Sequence, residues 1–319
     1  MTHKFFPTLI CFFQCCLMLG FASAAQCAPL VDSSFILAAL GETEDRIAFR
    51  GGDSARELPL PALRAWFSGT EREAQRPACV AALVRSLTWP IEESTSSTDA
   101  DVVFTITNAG EETHILLSVV NPNDASARFV LPGETEKART YLDALARFSG
   151  LCRLEGAMAP RPEVIWTVHP YRPGNTLKAN GITADGQIWN PAEVLTVGCK
   201  GRKVSYDGPA LLRFSLRNAS RQDLYVQLVN YTADGQVIQI FPPPQQAPAL
   251  LPWGKELDMS AVSLELAEKE ERVRLILSRV PLDMSGLTTP APERASTGET
   301  PGKADPADWS TSELICTLP

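Results

Sequence analysis

The sequence predicts an α+β protein: a small N-terminal α/β domain followed by an antiparallel β-sandwich of immunoglobulin-like type. Three observations predict it. Helix-spaced apolar residues flank a strand pair in the first half. Short alternating runs with tight-turn signals dominate the second half. Between them lies Ala159-Pro160-Arg161-Pro162, a proline-rich break.

The first domain is expected over 29–158. Leu60, Leu63 and Phe67 carry helical spacing, as do Val80, Leu83, Val84 and Leu87. Asp101 to Thr107 alternates, Asn108-Ala109-Gly110 is a turn signal, and His114 to Val120 is a second strand, so the pair reads as a hairpin. Pro132-Gly133 breaks the chain. Thr135 then caps a helix carrying Ala138, Tyr141, Leu142, Leu145 and Phe148, which Gly150 ends.

The sandwich is expected over 163–287. Val164 to His169 is a strand closed by Pro170-Tyr171-Arg172-Pro173-Gly174. Two similar stretches follow, Thr183-Ala184-Asp185-Gly186-Gln187-Ile188 and Thr232-Ala233-Asp234-Gly235-Gln236-Val237. Asp-Gly tolerates the positive φ angles of a tight hairpin loop. The echo marks either a duplicated hairpin or a coincidence of turn chemistry. Further strands are expected at Leu211–Arg217, Leu224–Val229, Gln236–Phe241, Val262–Leu266 and Val273–Ser278. Residues 288–308 are rich in Pro, Ser, Thr, Gly, Glu and Ala and read as disordered. Residues 309–319 recover apolar character and read as a strand returning to the sandwich.

Two resemblances attach to these residues. Phe214-Ser215-Leu216-Arg217-Asn218, then Leu224-Tyr225-Val226, Asp234-Gly235 leading to Ile240-Phe241-Pro242, Gly254, and Leu275-Ile276-Leu277-Ser278 agree in order with a known pattern. The stretch Gly208 to Leu287 thereby resembles the bacterial domain of unknown function 4384. That resemblance implies an accessory sandwich, of a kind often attached to caspase-like peptidase or envelope-lipoprotein domains. In the first half, Asp99-Ala100-Asp101-Val102-Val103-Phe104 with the strand and helix after it resembles small domains of curli-assembly and flagellar outer-membrane lipoproteins.

The compartment is read from the first residues. Lys4, an apolar stretch from Phe5 to Phe21 and Ala22-Ser23-Ala24 give the order of a secretory signal over 1–24. The apolar stretch is short for a bilayer span, and no later segment reaches that length, so no span is expected after cleavage. The protein is therefore expected in the periplasm or another extracytoplasmic space. Cys27 lies soon after the signal, but Gln26 before it is too large and polar for a lipoprotein site, which leaves lipid anchoring as an alternative.

Five cysteines then remain: Cys27, Cys79, Cys152, Cys199 and Cys316. In an oxidising compartment they are candidates for disulfides. Membership of the same domain points to Cys199 with Cys316, and adjacency to the two helices points to Cys79 with Cys152.

The net charge of −8, without any basic run, excludes nucleic acid as a partner, because such binding rests on neutralising phosphates. No nucleophile elbow, phosphate loop or dinucleotide fingerprint occurs. The post-signal histidines His114 and His169 lack the following glycine of a caspase-like site and are too few for a dedicated zinc centre. Glu92-Glu93, Glu111-Glu112 and the run Glu268 to Glu271 read as solvated charges rather than glycosidase pairs. No catalytic residue, metal or cofactor is therefore expected.

A binding surface is the remaining candidate. Phe241, Pro243 and Trp253, with Tyr225 on a paired strand, form either an apolar docking surface or caps on the core. The expectation is an exported, non-catalytic binding or assembly protein of the bacterial envelope, with a protein or glycan as partner. The alternatives are a glycan-active enzyme of unrecognised class and a lipid-anchored structural protein.

Overall fold

The computed structural model describes residues 55–68, 77–108, 115–120, 126–198, 200–232, 235–243, 246–266, 269–284, 287 and 302–319. The signal segment, Cys27, His114, Cys199 and Glu111-Glu112 lie outside the described residues.

The protein is mostly β, with several antiparallel sheets and two helices of more than one turn among the described residues. A first sheet has the order β3-β2-β4-β5-β6, built from Ile91–Glu93, Leu63–Ser68, Val102–Asn108, Ile115–Val120 and Ala127–Leu131. The helices are α1 (Ala78–Ser86) and α2 (Thr135–Cys152). A second sheet runs β16-β12-β7-β9-β8, from Glu256–Glu265, Leu211–Asn218, Val164–Gly174, Gln187–Pro191 and Ile182–Ala184, with β10 (Leu195–Val197) also on β7. A third runs β11-β19-β17-β13-β14, from Arg202–Ser205, Trp309–Thr317, Glu270–Ser278, Leu224–Thr232 and Val237–Phe241. On β13 lies also β15 (Ala249–Leu251), and β1 (Arg56–Glu57) pairs in parallel with β18 (Leu282–Asp283).

Alternation decides which way each strand faces. Trp166, Val168, Phe214 and Leu216 of the second sheet meet Val226, Leu228, Val273, Leu275 and Leu314 of the third in one core. The opposite face of the third sheet is also apolar. Its Val229, Tyr231, Ile276 and Trp309 join a second core with Leu83 of α1, Leu142, Leu145 and Phe148 of α2, and Leu63, Phe67, Phe104 and Leu117 of the first sheet. Helix α2 therefore lies between the first and third sheets, with α1 packed beside it, and the apolar packing continues across the expected boundary at Ala159–Pro162. Each fully buried leucine in this layer contributes about 1.5–3 kcal/mol.

A polar node pins the same junction. Arg274 of β17, 4 % exposed, reaches the end of α2. Its Nη2 donates to Glu313 Oε1 at 2.7 Å and to the Cys152 carbonyl at 3.3 Å. Its Nη1 donates to the Leu154 carbonyl. The Tyr231 hydroxyl donates to the same Glu313 oxygen, and burial raises its pKa. A cation at the orphan carbonyls of a helix C-terminus also complements the helix dipole.

Several expectations are corrected. Leu58 to Phe67 does not form a helix: Leu63–Ser68 is a strand. Leu63, Ala65 and Phe67 are buried and Arg64, Trp66 and Ser68 less so, and a spacing of four between Leu63 and Phe67 satisfies both periods. Gly150 does not end α2 but lies within it. A Cβ there would stand 3.0 Å from the Trp89 ring and 3.2 Å from the Pro61 carbonyl, so close approach explains the glycine. The strand from Val164 is not closed by Pro170 and runs to Gly174, because Pro170 falls where its partner changes from β10 to β9. Glu271 is not a solvated charge: it is 3 % exposed and accepts from Asn230 Nδ2 at 2.9 Å. Residues 302–308, assigned to a disordered segment, are ordered. The backbone at Lys303 pairs with that at Glu57 in a parallel β-bridge, Ala304 is buried, and Pro306–Asp308 forms a 3-10 turn.

The two Asp-Gly turns differ. Asp185 and Gly186 have φ of 50° and 76°, and Ala184 pairs with Gln187, which makes a two-residue hairpin. At the second, the Gly235 N–H donates to Thr232 O and the Thr232 N–H to Gln236 O, while Ala233 and Asp234 lie outside the described residues. Gly235, with φ of 81°, lies against Ala144 of α2, where a Cβ would stand 2.4 Å from the alanine methyl.

The expected Cys79–Cys152 disulfide is not formed: Cys79, Cys152 and Cys316 are free thiols. Cys152 is turned toward the third sheet, where Tyr231, Arg272 and Glu313 surround it, rather than toward α1. Burial raises its pKa, against the pull of Arg272. Cys316 has lost its expected bridge too. Burial, with Glu271 nearby, pushes its pKa up to about 12. Because the thiolate is the reactive form, Cys316 is expected to resist iodoacetamide at pH 8 in the folded protein and to react after unfolding in urea. Mass mapping of the alkylated protein checks this; rapid native labelling of Cys316 would refute it.

Candidate functional site

The site is built from the asparagine that closes the Leu211–Asn218 strand. Asn218 is fully buried, and its side-chain amide ties residues 220–222 to Leu251. Its Nδ2 donates to the Leu251 carbonyl at 2.9 Å and the Gln222 carbonyl at 2.8 Å. Its Oδ1 accepts from the Ser220 N–H at 3.0 Å and the Ser220 hydroxyl at 2.5 Å. Its own backbone N–H donates to the Lys255 carbonyl, and its carbonyl accepts from the Gly254 N–H, both at 2.9 Å.

What these bonds hold is the turn Pro252-Trp253-Gly254-Lys255 between β15 and β16. The Lys255 N–H closes it on the Pro252 carbonyl at 3.2 Å. Gly254 takes φ of 71°, which a side-chain-bearing residue rarely adopts. The Trp253 N–H donates to Asp223 Oδ1 at 2.9 Å. The backbone of the turn is thus fixed on several sides while the Trp253 indole remains 61 % exposed.

The four aromatic and proline positions singled out from sequence do not form one surface. Phe241 is 9 % exposed and belongs to the core between the second and third sheets. Pro243 is buried as well. Tyr225 is half-buried and, by alternation from Val226 and Leu228, faces the other side of the sheet from Phe241. Only Trp253 stands in solvent, because it sits on a turn and not on a strand end.

Elsewhere the chemistry is sparse. His169 Nε2 lies 3.3 Å from Ser215 Oγ on the outer face of the second sheet. Asp258 is opposite Ser215 in register on the neighbouring strand. This Ser–His pair, which sequence spacing did not reveal, lies on an open sheet face. Among the described residues, no group of three or more His, Cys, Asp and Glu side chains could hold a metal ion. No described helix is long and apolar enough to cross a membrane. A cavity of about 20 Å³ between the facing sheets is lined by Trp166, Leu275, Ser310 and Ser312, room for one water. A wide-open depression of about 460 Å³ lies beside Gly174, Asn175 and Gln187.

The Asp101 of the Asp-Ala-Asp stretch has a structural role. Its carboxylate accepts from the Arg64 N–H at 2.8 Å and pairs with Arg153 at 2.7 Å, which joins β2 to the segment after α2. No family model and no curated protein matches the chain.

Proposed function

We propose that this is an exported, non-catalytic binding or assembly protein of the bacterial cell envelope, with its second and third sheets forming an immunoglobulin-like sandwich like that of the domain of unknown function 4384. The observation that carries the reading is Trp253. A large indole left 61 % exposed loses favourable burial. Holding its backbone rigidly beforehand lowers the entropy cost of using it as an anchor. Tryptophan is also the residue type most enriched at binding hot spots.

The test is affinity capture from native envelope extracts with the signal-cleaved protein and its Trp253→Ala variant. The wild type is expected to retain a specific envelope component that the variant loses, with the variant's urea midpoint unchanged because the indole packs little. Equal capture by both proteins refutes the role of Trp253.

A further inference from the structure

The end of the molecule that carries Trp253 differs in charge from the rest. Around the Asn218 hub lie Arg217 and Arg221 on one segment and Lys255 on the turn itself, all exposed. Arg279 joins them, with its Nε on Gln222 Oε1 at 3.1 Å and its Nη2 on the Ala159 carbonyl at 3.2 Å. Arg161 is exposed on the adjoining segment. The acids at this end are Glu163, Asp223 and Glu256. Asp223 is engaged by the Trp253 N–H, and Glu256 stands opposite Arg217 in register. Beyond them lie Asp308, paired with Arg56 at 3.3 Å, and Asp258, opposite Ser215 in register. Five cations thus face three acids here, in a chain whose net charge is −8. Such a local excess of one sign, placed beside the exposed anchor, is a field that draws an oppositely charged ligand.

The shape of the patch narrows the ligand further. A peptide anchored by an apolar side chain needs a pocket beside the hot spot. The residues that would have formed one, Phe241 and Pro243, are buried in the structure. What remains is an indole 61 % exposed on a turn, with cations on the neighbouring segments. A sugar ring packs its C–H face on such an indole and presents its ionised substituents sideways.

We propose that this end of the molecule binds an anionic glycan. Trp253 stacks on one ring. Arg217, Arg221 and Lys255 receive carboxylate, phosphate or sulfate groups on that ring or its neighbours. The proposal rests on the binding reading above and names its ligand class.

The experiment titrates the signal-cleaved protein with three probes: an oligogalacturonate octamer, neutral maltooctaose and an oligoglutamate peptide of equal charge. Indole fluorescence and calorimetry report binding. Oligogalacturonate is expected to bind, with affinity falling as salt is raised. Trp253→Ala and the double variant Arg221→Glu/Lys255→Glu are each expected to weaken it by about ten-fold or more. Maltooctaose and the peptide are expected to bind far more weakly. Equal binding of maltooctaose overturns the charge requirement. Equal binding of the peptide, unaffected by Trp253→Ala, makes the patch a non-specific or peptide-binding surface and overturns the glycan. If no probe binds while Trp253→Ala still loses its envelope component, the glycan proposal fails and the binding reading stands. When that component is also retained, both fail.

Discussion

Replacing Arg274 with alanine is expected to cost about 3–5 kcal/mol of folding free energy, the penalty for stripping one partner from a buried charge network. The guanidinium satisfies Glu313 Oε1, the Cys152 carbonyl and the Leu154 carbonyl from a position 4 % exposed. Alanine leaves those acceptors facing a gap in the packed junction between α2 and the third sheet. Glu313 loses its nearest cation and keeps only Tyr231 and, at 3.7 Å, Arg272. Urea unfolding followed by far-ultraviolet circular dichroism measures the effect. The double variant Arg274→Met/Glu313→Leu should be milder than Arg274→Ala, because it removes both charges and refills the space. A single variant within about 1 kcal/mol of wild type would show that the network contributes little beyond its apolar surroundings.

Asn218→Ala is the second large effect, at about 2–4 kcal/mol, because several buried donors and acceptors lose a partner together. The Leu251 and Gln222 carbonyls and the Ser220 N–H and hydroxyl all depend on this one amide. The loss is local as well as global. The turn bearing Trp253 keeps its backbone bonds to residue 218 but loses the amide that fixes Leu251 just before it. Acrylamide quenching and fluorescence anisotropy of Trp253, in a background with the other five tryptophans replaced by phenylalanine, should report a freer indole in Asn218→Ala. Unchanged stability would remove Asn218 from its place at the centre of the site.

Much of the fold was legible where only one period fitted the residues. Val102–Asn108 sets Val102, Phe104 and Ile106 against Val103, Thr105 and Thr107, and it pairs with the apolar run Ile115–Val120 in register from Val103 with Val120 to Asn108 with Ile115. The helix from Thr135 and the strands around Leu211–Asn218 and Leu224–Thr232 carry equally unambiguous patterns. The short strands Ala127–Leu131 and Arg202–Ser205 were not legible: the first ends in three apolar residues in a row although only Phe129 and Leu131 are buried, and the second is mostly exposed and defined by its pairing with Trp309–Thr317. The junction between the halves was not legible either. Val229, Tyr231 and Ile276 look like ordinary strand residues, and only the tertiary structure places them under α2.

The site was legible only in part. Sequence singled out Trp253 but grouped it with Phe241 and Pro243, because aromatic and proline residues near strand ends look alike whether they cap a core or face water. Asn218 was visible as a pattern position, yet its role depends on loops that come together from distant segments. The cation cluster had no run in the sequence, since Arg161, Arg217, Lys255 and Arg279 are drawn together from four separate stretches.

The strand at Trp309–Thr317 lies inside its sheet, flanked by Arg202–Ser205 in parallel and Glu270–Ser278 antiparallel. Two neighbours separated from each other by some sixty-five residues in sequence therefore wait for a third element made later than either. It brings Trp309 to one core, Leu314 and Cys316 to the other, and Glu313 to Arg274. While residues 309–317 are still being synthesised, both neighbouring strands have an open edge and both hydrophobic cores lack a wall. Closure of the molecule is thus timed to the arrival of one late segment.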